Sequence, residues 1–551
     1  MKKYDKKNKG IPSGPAGERN IQKPKLTILV VVLTAFVTTF TGSALNLSIP
    51  DLGRQFGVSA GTVGWLVTGY TLAVAAVSVP AGRIADLTRR KTVLTAGILF
   101  FTACCIGAVF SMSMLMLIVI RVVQGIGAAM IFSTNTAILL SVFPAESRGR
   151  VIGYSLAATY AGLSSGPVLG GFLNQQLGWE SVFLFTGAIS AAAFFAALRL
   201  PGEAPDSKAE GKLPEPKAEM NRLKREAEVR ASGCKTGSES PDSKVAVKSL
   251  ELKSETSRLR HLAEVRPPEC NAGSKAPDSK AEKKTAVSRL QHLDLRGNLL
   301  YLVSIVSLMY GLSEIGKGWM PMLWISVGLI FGVFFLRREL RAEEPAVDVR
   351  LFHQNIGYGF SNLSALLNYG ATFAISYLVS IYLQVVQGFS SQATGLIMIA
   401  QPAIMAGLSP VAGKLSDRIS PFKLSSAGMA LCAAGTGLFI FLNQGSSLWI
   451  VMAALVITGL GFALFSSPNT NAVMSCVEEN DYGVASSILA TMRSIGHTLS
   501  MVVVTVIVTI YMQDASLAEA SPETLIQVNR VAFIIFTGIC TIGVFVSLKW
   551  R

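Results

Sequence analysis

The sequence is short of charge and of reactive side chains. Only 15% of its 551 residues are Asp, Glu, Lys or Arg and half are apolar, which excludes the usual water-facing shell of a soluble enzyme. Its four histidines, His261, His292, His353 and His497, form no catalytic or metal-ligand spacing. Seven cysteines show no pairing pattern: Cys104, Cys105, Cys432 and Cys540 lie in apolar runs, Cys476 follows one, and Cys234 and Cys270 sit in a polar stretch. Small apolar fillers are the expected role of the buried ones, with no disulfide framework, metal or cofactor implied. No G-x-x-x-x-G-K-[ST] loop is present to support ATP hydrolysis, and the short alternating segments of a transmembrane β-barrel are lacking.

What is present is long apolar blocks of about 18 to 25 residues, the length a helix needs to cross hydrocarbon. Backbone groups in lipid must be satisfied within the segment, so an all-α integral membrane fold is expected. Six spans precede a polar interruption, at 26–49, 62–81, 92–110, 113–141, 150–175 and 180–200. Eight follow it, at 296–314, 319–336, 357–386, 392–413, 422–442, 447–470, 484–511 and 528–549. Residues 1–25 form a basic tail, and the apolar run behind it is too long for a cleavable signal peptide.

The net charge of +15 sits mainly in loops and tails, which argues for membrane anchoring and against nucleic acid. With a cytoplasmic amino terminus, the loops carrying Arg83, Arg89, Arg90 and Lys91, then Arg148 and Arg150, then Arg337, Arg338 and Arg341 all fall inside. Both termini are then cytoplasmic, as the positive-inside rule requires of a multi-pass protein of the cell membrane. The expected organisation is 26–200 as a first six-helix half, 201–293 as a linker, 294–336 as two extra spans, 337–356 as a cytoplasmic loop and 357–551 as a second six-helix half. Within the linker Pro205-Asp-Ser-Lys recurs at Pro241 and Pro277, and each unit has too few large apolar residues for a stacked core. A duplicated, disordered cytoplasmic segment is expected there.

Equivalent loops of the two halves carry Gly82-Arg-Ile-Ala-Asp86-Leu-Thr-Arg-Arg90-Lys91 and Gly413-Lys-Leu-Ser-Asp417-Arg418. Glycine at a helix end lets two helices approach, while the aspartate can accept from helix-terminal N–H groups and pair with the basic cluster, forming a charged latch. In the fifth span Gly162, Gly166 and Gly170 recur four apart with Gly153 ahead of them, and Pro167 and Gly171 complete Gly-Pro-Val-Leu-Gly-Gly. That pattern is a side-chain-free ridge on a helix that Pro167 should bend. Arg121, in Arg-Val-Val-Gln124-Gly-Ile-Gly, lies about two turns inside the membrane, where a cation costs roughly 2.5 to 3.5 kcal/mol.

These loops resemble the signature loop of the major facilitator superfamily, and the resemblance runs from Thr27 to Leu548 outside the linker. It implies two six-helix halves plus two extra central spans, fourteen in all, and a secondary transporter that is not an enzyme. The first loop departs from the pattern at Leu87 and Arg89. The Gly153 to Gly171 stretch resembles the antiporter motif of family exporters, and Arg121 the fourth-span arginine implicated in proton coupling. Asn46 and Pro50, Trp65 and Tyr70, Asp348 to Phe352, Tyr382-Leu-Gln384 and Arg493-Ser-Ile-Gly496 are similar to the fourteen-span drug/proton antiporter branch.

Relatives in that branch often have an aspartate where this chain has Thr41, at about the depth of Arg121, some 12 Å from the outer surface. No Asp or Glu lies in the middle of any expected span. His497, one turn after Arg493 on the same face, is the only side chain inside a span whose ordinary pKa lies near neutral, though the arginine opposes a second positive charge there. Coupling candidates are therefore Arg121, Arg493 and His497. Cavity candidates are Thr41, Asn46, Trp65, Tyr70, Gln124, Asn135, Asn368, Tyr377 and Gln384, a set that suits an uncharged or anionic substrate at least as well as a cation. The resulting expectation is a monomeric efflux transporter of small amphipathic molecules, multidrug-type, exchanging them for protons. The alternative is a transporter-like receptor or scaffold signalling through the central loop.

Overall fold

The structure, a computed structural model, describes residues 24–58, 60–200, 294–315, 318–342, 345, 347, 349–512 and 521–548. The linker repeat, the basic tail and the side chain of Asn46 lie outside the described residues. The described chain is helical, with no strand.

Six helices make the first half: α1 (Pro24–Phe56), α2 (Ala60–Leu87), α3 (Arg90–Val109), α4 (Met114–Val142), α5 (148–177) and α6 (Glu180–Leu198). An extra pair follows, α7 (Leu295–Ser313) and α8 (Met320–Glu339). The second half is α9 (Ile356–Val386), α10 (Gln392–Ser416), α11 (Pro421–Phe439), α12 (Leu448–Ser475), α13 (Tyr482–Met512) and α14 (Pro522–Leu548). Twelve of these are long and apolar enough to cross a membrane. The other two, α5 and α11, are helical at the positions of the fifth and eleventh expected spans, but small residues lower their hydropathy.

Local chemistry sets the ends. Ser113, Asp294, Asn355 and Ser390 each cap a helix by accepting from a backbone N–H three residues on. Gly178, at φ 82°, lets the chain leave α5 through a conformation unfavourable for other residues. At the start of α7, Asp294 also takes both Nε and an Nη of Arg338 at 3.0 and 2.8 Å. Partial burial works against its charge, but these bonds and the Gly297 N–H hold its carboxyl below the usual range. Span hydroxyls satisfy themselves within their own helices, as hydrocarbon demands: Thr34, Thr38, Thr41 and Ser78 all donate to the carbonyl four residues back.

The helix pairings of the two halves correspond. In the first, α1 packs on α5 and α6, α2 on α4, and α3 on α4 and α6. In the second, α9 packs on α13 and α14, α10 on α12, and α11 on α12 and α14, which is the same set shifted by eight helices. The halves meet chiefly through α2 on α13 and α5 on α10. The extra pair packs on itself and through α7 on α2 and α13, leaving most of α8 facing outward.

Two helices depart from regular geometry. In α5 the stretch Gly166–Gly170 is a π-helical turn, consistent with Pro167 lacking an N–H to donate. Read from sequence as one continuous span, α9 is interrupted at Phe373 and Ala374 and ends in a π turn over Tyr382–Val386. Ser500 of α13 accepts from the Ala374 N–H at 3.1 Å, satisfying a donor near the break.

Candidate functional site

The ends of the helices that carry the arginine-rich loops, here the basic end, hold the two halves together. Each carboxylate oxygen of Asp86 accepts one N–H at the start of α13, from Gly483 at 3.0 Å and Val484 at 2.8 Å. Asp417 does the same at the start of α5, accepting from Gly149 at 2.6 Å and Arg150 at 3.0 Å. Anions are favoured at helix N-termini, so each half carries one carboxylate that caps a helix of the other. Arg90 adds an ion pair to Asp86 at 2.9 Å and bonds the Glu479 carbonyl. Both Arg90 and Arg148 lie over the ring of buried Tyr482, at 5.8 and 5.6 Å. Lys91 turns away to the carbonyls of Leu198 and Leu200, and Arg418 is exposed.

Glycines permit this approach. A Cβ on Gly82 would lie 2.6 Å from the Gly483 carbonyl oxygen, and one on Gly413 would strike the Gly149 carbonyl. The fifth-span glycines divide between two partners. Gly153 faces Ser409 and Pro410 of α10, where a Cβ would come within 2.6 Å of the Ser409 oxygen. Gly162, Gly166 and Gly170 face Phe36, Ser43 and Ala44 of α1, within their own half, while Gly171 is half-buried.

Near mid-membrane a polar and aromatic cluster joins the halves. Tyr160 of α5 donates to Ser466 Oγ of α12 at 2.7 Å, and the Tyr369 hydroxyl of α9 lies 3.1 Å from the same oxygen. Phe462 meets both tyrosine rings edge-on. On α13, Arg493 donates to Thr470 Oγ1 at 2.8 Å and sits 5.4 Å from the Tyr369 ring centre. His497 stacks on Phe373 at 4.1 Å, beside the break in α9, and meets Tyr369 edge-on at 5.4 Å. Discontinuous helices are a recurrent way to build midplane sites in transporters.

Arg121 is elsewhere. Only 1% exposed, it donates from Nε to the Leu66 carbonyl at 3.2 Å, bonds Gln124 Oε1, and lies 4.3 Å over the Tyr70 ring. Gln124 in turn reaches Cys105 Sγ at 3.0 Å. The cation is thus wrapped between α2, α3 and α4, and the Thr41 hydroxyl turns back to Val37. Asn135 pairs with Thr34 at 3.0 Å, Asn368 is fully buried, and Tyr377 is half-buried. The Trp65 ring lies tilted 5.5 Å from that of Tyr310 in the extra pair, which meets Trp324 edge-on. Gln384 is exposed and bonds Ser380.

The structure therefore brings Arg493 and His497 together with residues that sequence reasoning did not single out: Tyr160, Tyr369, Phe373, Phe462, Ser466 and Thr470. Their signal is weak, since Tyr, Phe and Ser are common in membrane helices. Tyr160 stands two residues before the Gly162 ridge, and Tyr369 follows Asn368, which were the available pointers.

A sequence profile of the Major Facilitator Superfamily matches residues 31–501, with a second match over 361–551. The chain belongs to the major facilitator superfamily. This multi-pass facilitator is a membrane transporter and not an enzyme. It is similar to a riboflavin transporter of Clostridioides difficile, 24% identical over 475 residues and 86% of each chain. It is also similar to a multidrug resistance protein of Mycobacterium tuberculosis, 25% identical over 87% of this chain and 74% of that one. A methylenomycin A resistance protein of Bacillus subtilis is 23% identical over 88% and 87%. Among solved structures, a human organic anion transporter matches with TM-score 0.56 at 13% identity, covering 96% of this chain and all of the other. A proton:xylose symporter matches with TM-score 0.55 at 12% identity and 96% coverage of both. At such identities the two structures speak to fold alone.

Proposed function

We propose that this facilitator is a secondary active exporter that moves small amphipathic molecules out across the plasma membrane in exchange for protons. The observation that carries the reading is the glycine series of α5, packed on α1 through Gly162, Gly166 and Gly170 and on the opposite half through Gly153. A helix with one face fixed in its own half and its basic end pressed against the other is suited to transmit rocking between halves. Two relatives are named for resistance, which favours removal of substrate over uptake.

In this reading the basic end and both termini face the cytoplasm, the protein works as a monomer, and the two aspartate caps hold the cytoplasmic side shut. Substrate sits in the mid-membrane cluster, with Tyr160, Tyr369, Phe373 and Phe462 offering ring faces and edges. Arg493 supplies positive charge there, so uncharged or anionic planar molecules suit the site better than cations. His497 and Arg493 respond to the coupling proton, and Arg121 fixes the packing of α2, α3 and α4 around the translocation path.

The test is transport by proteoliposomes under an imposed pH gradient, with riboflavin among the solutes tried and wild type compared with Arg121→Ala, Arg493→Ala and His497→Ala. Gradient-driven movement that weakens at least tenfold in Arg493→Ala is expected. Active transport that ignores the gradient would remove proton exchange from the scheme.

A further inference from the structure

A cavity of about 270 Å³ opens where the extra pair meets both halves. Val79 of α2, Tyr301 of α7, Phe335 and Leu336 of α8, and Ile488 and Met492 of α13 line it. Its polar side chains, Tyr301 and Thr491, are already engaged: the Tyr301 hydroxyl lies 2.9 Å from the Ala75 carbonyl of α2 and 2.9 Å from Thr491 Oγ1 of α13. An occupant therefore meets hydrocarbon on nearly every side, and any polar group it carried inward would go unsatisfied. Pockets for whole drug-sized ligands hold roughly 300 to 1,000 Å³. This smaller space fits a hydrocarbon chain.

The rim has the opposite character. Lining residues Leu336 and Val349 are followed directly by exposed Arg337 and Arg350, and exposed Arg341 stands one turn beyond Arg337. Arg338 is taken by Asp294 and Arg350 donates to the Leu340 carbonyl at 2.9 Å, so Arg337 and Arg341 are the exposed cations offered to an anionic group outside. Leu336 is itself exposed on the outward face of α8, which joins the cavity to the lipid-facing surface. We propose that the cavity binds an acyl chain of an anionic phospholipid, with the headgroup held by Arg337 and Arg341. Its wall draws on α2 and α13 together, the helices joined by the Asp86 cap. Separating their basic ends would dismantle the site, so an occupying lipid favours the closed arrangement.

The test uses the full chain in phosphatidylcholine nanodiscs containing a trace of phosphatidylglycerol with a photoreactive acyl chain, and maps the labelled peptides by mass spectrometry. Labelling of the cavity segments of α8 and α13 is expected to exceed several-fold that given by phosphatidylcholine bearing the same chain. Each arginine removed, in Arg337→Gln and Arg341→Gln, should lower the preference roughly fivefold. Leu336→Trp should empty the cavity segments of label while leaving the lipid-facing stretch around Ile330 labelled as before, which also reports an intact fold. Equal labelling by the two lipids, a preference unchanged in the arginine variants, or cavity labelling unchanged by Leu336→Trp would each overturn the proposal. The readout is binding, so it holds or fails independently of proton exchange.

Discussion

Asp86 and Asp417 perform the same task from opposite halves, and their surroundings differ. Both place two oxygens on the first N–H groups of a helix across the interface, α13 for Asp86 and α5 for Asp417. Asp86 adds a buried ion pair to Arg90, whereas Asp417 is followed by an exposed Arg418 and is backed by Asn471 bonding its neighbour Ser416 at 3.0 Å. What the two copies share is glycine for close approach and aspartate for a helix N-terminus. The basic residues strengthen one copy and decorate the other. The first loop's departures at Leu87 and Arg89 leave the shared geometry untouched, since neither side chain makes the capping bonds.

That comparison can be broken in graded steps. The largest effect is expected from Gly82→Val or Gly413→Val, because the added carbons meet backbone of the other half. Overpacking against backbone falls at the upper end of the usual range, about 2 to 3 kcal/mol, or roughly 30- to 150-fold in the ratio of closed to open forms, so transport in proteoliposomes should fall more than tenfold. Asp86→Asn comes next: it weakens charge-assisted bonds worth about 1.5 to 3 kcal/mol and removes the carboxylate charge beside buried Arg90, which predicts at least a tenfold loss. Asp417→Asn, with no buried arginine left behind, should lose about fivefold, or about 1 kcal/mol. Equal losses in the two asparagine variants would show that Arg90 adds nothing. Tyr160→Phe removes one hydrogen bond between halves and should raise KM two- to tenfold, for about 0.5 to 1.5 kcal/mol, with expression unchanged. Gln384→Ala, at an exposed position, should stay within about twofold of wild type in the same assay.

The spans were legible because a helix in lipid must be apolar over a fixed length, and the expected ends fall within a few residues of the observed ones over most of the chain. The interruption of α9 was not legible: Phe373-Ala374 contains neither glycine nor proline, and the Ser500 that bonds the Ala374 N–H lies on another helix. Glycines four apart in α5 announced a ridge, but not that Gly153 faces α10 while the other three face α1. The same limit applies to Arg121. Its burial could be read from its place in a span, but its partners Leu66 and Tyr70 come from a helix some 50 residues earlier, and nothing local names them. Trp65 read as a cavity wall because the aromatic row with Tyr310 and Trp324 exists only once the extra pair is docked.

The most direct test of the account is the distance between the halves at the basic end. Spin labels at exposed Arg150 of α5 and Lys414 of α10 flank the Asp417 cap without replacing it. In wild type, pulsed electron resonance should give a population at the short separation of the closed arrangement, and the Asp86→Asn/Asp417→Asn double variant should move most of it to a longer one. A double variant that keeps the wild-type distribution would contradict the claim that reciprocal aspartate caps hold the two halves shut.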